Sequence, residues 1–109
     1  MITYPDFDKV EIRAGRIVRA ERFPEARKPA YKLWIDFGDE LGVKRSSAQV
    51  TGLYTPEDLA GRLVVAVTNF PPKQIASFLS EVLVLGIQSS EGVVLLAPDR
   101  EVPLGGRVL

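Results

Sequence analysis

Cysteine and histidine are both absent from the 109 residues, and methionine and tryptophan occur once each. Without a thiol or an imidazole there is no disulfide, no thiolate nucleophile, no imidazole base and none of the usual zinc ligands. Most enzyme mechanisms are thereby excluded; no catalytic residue, no metal site and no cofactor is expected, and mononucleotide-binding motifs are missing as well. The acidic pairs Asp39-Glu40 and Glu57-Asp58 are accounted for by a turn and a helix N-terminus. No apolar run approaches the roughly 20 residues that cross a bilayer. The stretch from Met1 to Arg13 has no cationic segment leading into an apolar one. No membrane insertion and a cytoplasmic location are therefore expected.

What is present is ordinary for a globular chain: 46% hydrophobic and 26% charged residues, enough to bury roughly two-thirds of the unfolded surface in one core. A single domain over residues 1–109 is expected. Formal net charge is zero, with a pI near 6.3, which excludes a globally basic nucleic-acid binder. The distribution is uneven. Residues 9–32 hold eight basic groups against three acidic ones, and the rest of the chain carries the matching negative excess. Such asymmetry produces either a basic face or a merely solvated strand.

The chain is organised around Arg62 to Ile87, where two short apolar runs flank Pro71 and Pro72. Runs of this length and β-branched content predict two buried strands, roughly Leu63–Asn69 and Glu81–Ile87. The prolines force the chain out of the sheet, so Asn69, Lys73, Gln74 and Ser80 are placed at a rim.

Upstream, Tyr4 to Asp8 predicts a helical turn. Val10 to Arg22 predicts a long strand with a bulge at Gly15. FPEARKPA, with two prolines, predicts a loop exposing Arg27 and Lys28. Tyr31, Leu33, Ile35 and Phe37 alternate with Lys32, Trp34 and Asp36, the pattern of a half-buried strand. Trp34 falls on the polar side, packed under a loop or a subunit contact, or else free to stack a base. Gly38–Gly42 predicts a hairpin turn, and Val43–Thr51 a polar strand. Thr55 at an N-cap, Pro56 at the first helical position and Gly61 beyond the end predict one short helix. Val93–Ala97 predicts another strand, followed by a tail of turns with an edge pairing. The fold class is all-β with a short helix: an OB-fold, a five-stranded Greek-key antiparallel barrel.

The stretches FPEARKPAYKLWIDFG, SSAQVTGLYTPEDLAGRLVVAVTNFPPKQIASFLSEVLVLG and LLAPDREVPLGGRV resemble the CsaA group of the tRNA-binding OB-fold family, related to the C-terminal domain of some bacterial methionyl-tRNA synthetases. The resemblance runs from about Asp6 to Val108, most specifically in NFPP and SEVLVLG. It implies a homodimer that binds tRNA by outer shape. For CsaA-like members it also implies a chaperone-like affinity for unfolded or export-destined polypeptides; it implies no enzyme. In the wider family the turn aligned with Asn69–Ser80 is more basic. Here Pro71, Gln74, Ile75, Ala76 and Ser77 occupy those places, and Lys73 is its only cation.

Reading an RNA backbone requires Arg, Lys and hydroxyl donors on one concave face. The RNA-binding candidates are Arg13 and Arg16 on the first strand, Arg45, Ser46 and Ser47 on the third, and Asn69, Lys73 and Ser80 at the rim. The serines read equally well as solvated strand surface, and Asn69 as a turn residue bonding its own backbone. The peptide-binding candidates are Phe70, Ile75, Phe78 and Leu79, exposed at a dimer seam closed by the Leu- and Val-rich C-terminus, or else plain core. Two functions are compatible with these residues: a non-catalytic tRNA-binding homodimer with a chaperone role in export, or a peptide-binding export chaperone with little or no tRNA binding.

Overall fold

The computed structural model describes residues 1–109. The alternation in Tyr31–Phe37 sets its frame. β2 (Tyr31–Asp36) turns Tyr31, Leu33 and Ile35 inward and leaves Lys32, Trp34 and Asp36 half-buried on the opposite face, as the two-residue period of a strand requires. It pairs antiparallel with β3 (Val43–Ala48) on one side and β1 (Ile12–Arg22) on the other.

β1 is the strand the barrel bends around. Its C-terminal half lies against β2, from Arg16 opposite Asp36 to Arg22 opposite Tyr31. Its N-terminal half lies against β4 (Leu63–Val67), from Ile12 opposite Val67 to Arg16 opposite Leu63. The bulge does not fall at Gly15 as the sequence suggested. The register shifts between Ile17 and Arg19, making Val18 the extra, exposed residue. Gly15 instead permits close packing, because a Cβ there would stand 2.6 Å from Ile35 Cγ2 and 2.8 Å from the Phe37 ring.

The sheet order is β3-β2-β1-β4-β7, with β7 at Leu83–Val84. The fifth strand nearly closes the ring. Glu81 and Val82 both donate their amides to the Arg45 carbonyl of β3, at 2.8 and 3.3 Å, whereas Leu85 donates to Val65 of β4 at 3.0 Å. The all-β, five-stranded Greek-key barrel of an OB-fold is therefore present. Glu81–Ile87 is nonetheless not one core strand. It crosses from β3 to β4 and then leaves at Gly86 for the hairpin β8 (Gly86–Ser89) and β9 (Gly92–Leu95), so Leu83 and Ile87 are exposed.

Short elements close the ends. α1 is Tyr4–Asp8, and Gly38–Leu41 forms a one-turn helix, α2, rather than a plain hairpin turn. α3 (Pro56–Leu59) is capped at Thr55: Thr55 Oγ1 accepts from the Asp58 amide at 3.2 Å, and Asp58 Oδ2 accepts from the Thr55 amide at 3.0 Å. Leu59 enters the core beside Ile17, Leu33, Ile35, Phe37 and Val64, all fully buried. The tail pairs with the edge of β1 that β2 leaves open. Gly105 donates to Ala14 at 2.8 Å, Ala14 to Gly106 at 2.9 Å and Val108 to Ile12 at 2.8 Å.

Pro71 and Pro72 do lead the chain out of the barrel. The chain then forms a second hairpin, β5 (Lys73–Ile75) and β6 (Phe78–Ser80), lying on the outer side of β3.

Candidate nucleic-acid interface

The loop between β1 and β2 and the β5–β6 hairpin flank the end of β3, and between them runs an open groove of about 690 Å³. Arg27 and Lys28 enter it from the loop, Lys73 and Gln74 from the hairpin, and Ser47 and Gln49 from β3 and the residue following it. Glu25 is its one acid, and that carboxylate lies 3.7 Å from Lys32. The hairpin is pinned at its base, where the Ser47 amide donates to Ser80 Oγ at 3.0 Å, with Lys73 opposite Ser80. Cations and neutral donors around a shallow groove bind phosphate oxygens.

Of the eight RNA-binding candidates, Ser47 and Lys73 line this groove, and Ser80 holds its wall. Arg45 stands nearby, its amide donating to Glu81 Oε1 at 3.0 Å and its guanidinium 3.5 Å from the same carboxylate. Ser46 is no surface donor: it is 1% exposed and faces the core, donating to the Val82 carbonyl at 2.8 Å. The alternation of β3 puts its hydroxyl inside when Arg45 and Ser47 face out.

Arg13, Arg16 and Asn69 do not converge with the others. Arg13 contacts Glu11 at 2.5 Å and donates to the Gly105 carbonyl at 2.9 Å. Arg16 contacts Glu101 at 2.5 Å and donates to the Gly61 carbonyl at 2.8 Å. Asn69 bonds neither a ligand-facing rim nor its own turn. Its Oδ1 accepts from the Glu11 amide at 3.0 Å, and its Nδ2 donates to the Lys9 carbonyl at 2.8 Å. These side chains tie the N-terminal segment and the tail to the barrel. The groove residues Arg27, Lys28, Gln49 and Gln74 were not among the candidates; the signal that finds two of them is the exposed cation pair in a proline-bounded loop.

The four peptide-binding candidates do not form one exposed patch, although Ile75 and Phe78 stand opposite each other in the β5–β6 hairpin. Phe78 is 5% exposed, Ile75 lines the basic groove, Leu79 is half-buried opposite Gln74, and Phe70 is exposed in the preceding loop. An apolar groove of about 560 Å³ lies elsewhere, between β4 and the tail, lined by Val65, Leu96, Pro98, Val102, Pro103 and Val108 among others. The sequence places its apolar groove at a dimer seam; this groove lies along the tail and contains none of the four residues assigned to that seam.

Residues 12–107 match the family described as "Putative tRNA binding domain". The chain belongs to this tRNA-binding domain family. The chaperone CsaA from Bacillus anthracis is 53% identical with a TM-score of 0.92, covering 100% of this chain and 99% of that one. The CsaA chaperone protein from Picrophilus torridus is 54% identical with a TM-score of 0.94 and full coverage of both chains. The methionine–tRNA ligase of Pyrococcus abyssi is 37% identical over 98% of this chain, yet the chain spans only 14% of that ligase.

In this tRNA-binding domain, Trp34 packs under the β5–β6 hairpin, its ring 5.7 Å from that of Phe78. The bulge at Val18 aims the next residue, Arg19, over the same indole at 4.4 Å. Two carboxyls in the domain are held below the ordinary carboxylate range, Asp6 by the Thr3 backbone amide and Asp58 by that of Thr55. Both belong to helix caps, not to the groove. No helix is long and apolar enough to cross a membrane.

Proposed function

We propose that this tRNA-binding domain holds folded tRNA by its phosphate backbone in the groove between the β1–β2 loop and the β5–β6 hairpin. It does so without catalysis, with residues 1–109 acting as one domain, in a cytoplasmic homodimer of CsaA type. The observation that carries this reading is the gathering of Arg27, Lys28 and Lys73 around Ser47, Gln49 and Gln74 in a chain whose family is a tRNA-binding domain. A chaperone role toward unfolded or export-destined polypeptides rests on the likeness to the two CsaA chaperones.

The test is fluorescence anisotropy of labelled bulk tRNA at low and moderate salt. Affinity falling by orders of magnitude between roughly 50 and 200 mM salt is expected of a phosphate-reading surface. Binding that is absent, or that ignores salt, rejects it. Light scattering at micromolar protein tests the homodimer, and a monomer overturns that part.

The second reading is a peptide-binding export chaperone with little or no tRNA binding. The apolar groove beside the tail favours it, since Leu96 and Val108 stay partly open to solvent there, and exposed apolar surface marks association sites. Slowed aggregation of a denatured client, together with no tRNA binding, would put this reading first. No effect on any client removes it.

A further inference from the structure

The one acid of the basic groove stands against a cation that is not itself among the groove's lining residues. Glu25 enters the groove from the β1–β2 loop, and its carboxylate lies 3.7 Å from Lys32 Nζ. Lys32 stands on the outer face of β2, directly opposite Ser47 of β3, and Ser47 lines the same groove. A fourth cation therefore borders the site already carried by Arg27, Lys28 and Lys73, with a carboxylate set on it.

The two members of this pair are held very differently. Lys32 is rooted in the sheet, its side chain only 21% exposed, and its ammonium lies 4.9 Å from the centre of the Phe23 ring and 5.6 Å from that of Phe78. Both rings are buried, and they attract the ammonium without neutralising it. Glu25 comes from an exposed loop with half its side chain in solvent, and at 3.7 Å its contact with Lys32 is a charge pair too long for a hydrogen bond. The neighbouring pair shows the contrast: Glu81 lies 3.5 Å from the Arg45 guanidinium but also accepts from the Arg45 amide at 3.0 Å, which ties it to the backbone. A solvent-facing ion pair with loose geometry adds little to stability, so Glu25 leaves Lys32 at small cost when another anion arrives.

We propose that Lys32 is a further phosphate-binding residue of the groove, and that Glu25 holds the phosphate's place on it until a ligand displaces the carboxylate; this site rests on the backbone-reading function proposed above and deepens it. A phosphodiester oxygen bears the same charge as the carboxylate and takes the same position on the ammonium. Glu25 is then a specificity-determining residue. A tethered carboxylate competes at high effective concentration with any single small anion. A phosphate chain that Arg27, Lys28 and Lys73 hold at the same time overcomes that competition, so the acid biases the groove toward multiply charged backbones.

The experiment is a double-mutant cycle. Wild type, Glu25→Gln, Lys32→Met and the double variant are titrated with bulk tRNA and, in parallel, with inorganic tripolyphosphate. Glu25→Gln is expected to tighten binding by about threefold or more and to steepen its salt dependence, because Lys32 then acts as an unopposed cation. Lys32→Met keeps an apolar stem against Phe23 and Phe78; it is expected to weaken binding and to abolish the gain, so that the double variant binds no tighter than Lys32→Met alone. A Glu25→Gln protein that gains nothing with either ligand overturns the proposal. So does a gain that survives in the double variant, since Glu25 would then act on the other groove cations and not through Lys32. If Lys32→Met fails to fold, Lys32→Gln takes its place in the same cycle. A Lys32-dependent gain with tripolyphosphate in a protein that binds no tRNA supports the phosphate site and rejects the tRNA reading instead.

Discussion

Gly15 and Ile35 approach so closely across the β1–β2 ladder that no methyl group fits between them: a Cβ on Gly15 would lie 2.6 Å from Ile35 Cγ2. Ile35 and the adjoining Phe37 are both fully buried, so neither has room to retreat. Gly15→Ala overpacks the core and is expected to lower stability by about 1–3 kcal/mol. Urea denaturation checks it, and an unchanged midpoint would show that the strands yield at no cost.

Ser46 separates stability from binding. Its hydroxyl donates to the buried Val82 carbonyl where the fifth strand leaves β3. Ser46→Ala leaves that acceptor unpaired and is expected to cost about 1–3 kcal/mol, with tRNA affinity unchanged. Thermal unfolding and anisotropy on the same preparation test both halves.

Lys73 and Arg27 should behave in the opposite way. Both line the basic groove, so Lys73→Ala or Arg27→Ala is expected to weaken tRNA binding and reduce the magnitude of the slope of log affinity against log salt by about one. Unfolding midpoints should stay where they are. Arg13→Ala reverses the pattern, losing stability without changing the slope, because Arg13 serves Glu11 and the Gly105 carbonyl.

Asp58 gives stability a signed pH dependence. Its carboxyl is held below the ordinary range, first by the Thr55 backbone amide. A carboxyl whose folded pKa is depressed contributes stability above its unfolded pKa and loses it as pH falls through the folded one. Asp58→Asn removes that contribution. The difference in thermal midpoint between wild type and variant is therefore expected to hold above about pH 5 and to shrink as pH falls below it. A difference independent of pH would show that the carboxylate charge adds nothing to the cap.

The candidate site was legible only in part. Strand alternation, once β3 was placed, was enough to send Ser46 inward and Ser47 outward, yet both serines were weighed alike. Arg13 and Arg16 read as free cations because nothing in a linear sequence shows that Glu101 and Gly105 return to β1 across more than eighty residues. The partners of Asn69 are equally distant in sequence, the backbones of Lys9 and Glu11. The sequence leaves Phe78 as either an exposed peptide contact or plain core. What buries it is a face formed by two other strands.

The sequence by itself determined the elements whose causes are local. Two-residue periodicity made β2. Thr55, Pro56 and Asp58 made α3, and Pro71-Pro72 made the exit from the barrel. The motifs that carry the family likeness are equally local. Tertiary structure decided where β1 bends, because the bulge must sit where pairing passes from β4 to β2. It also split the Glu81–Ile87 run, because one strand had to serve both β3 and β4 to close the ring. Finally, it selected which cations remain available to a ligand. Long-range ion pairing is set by which carboxylates the closed barrel brings near, and that choice consumed Arg13 and Arg16 while leaving Arg27, Lys28 and Lys73 around an open groove.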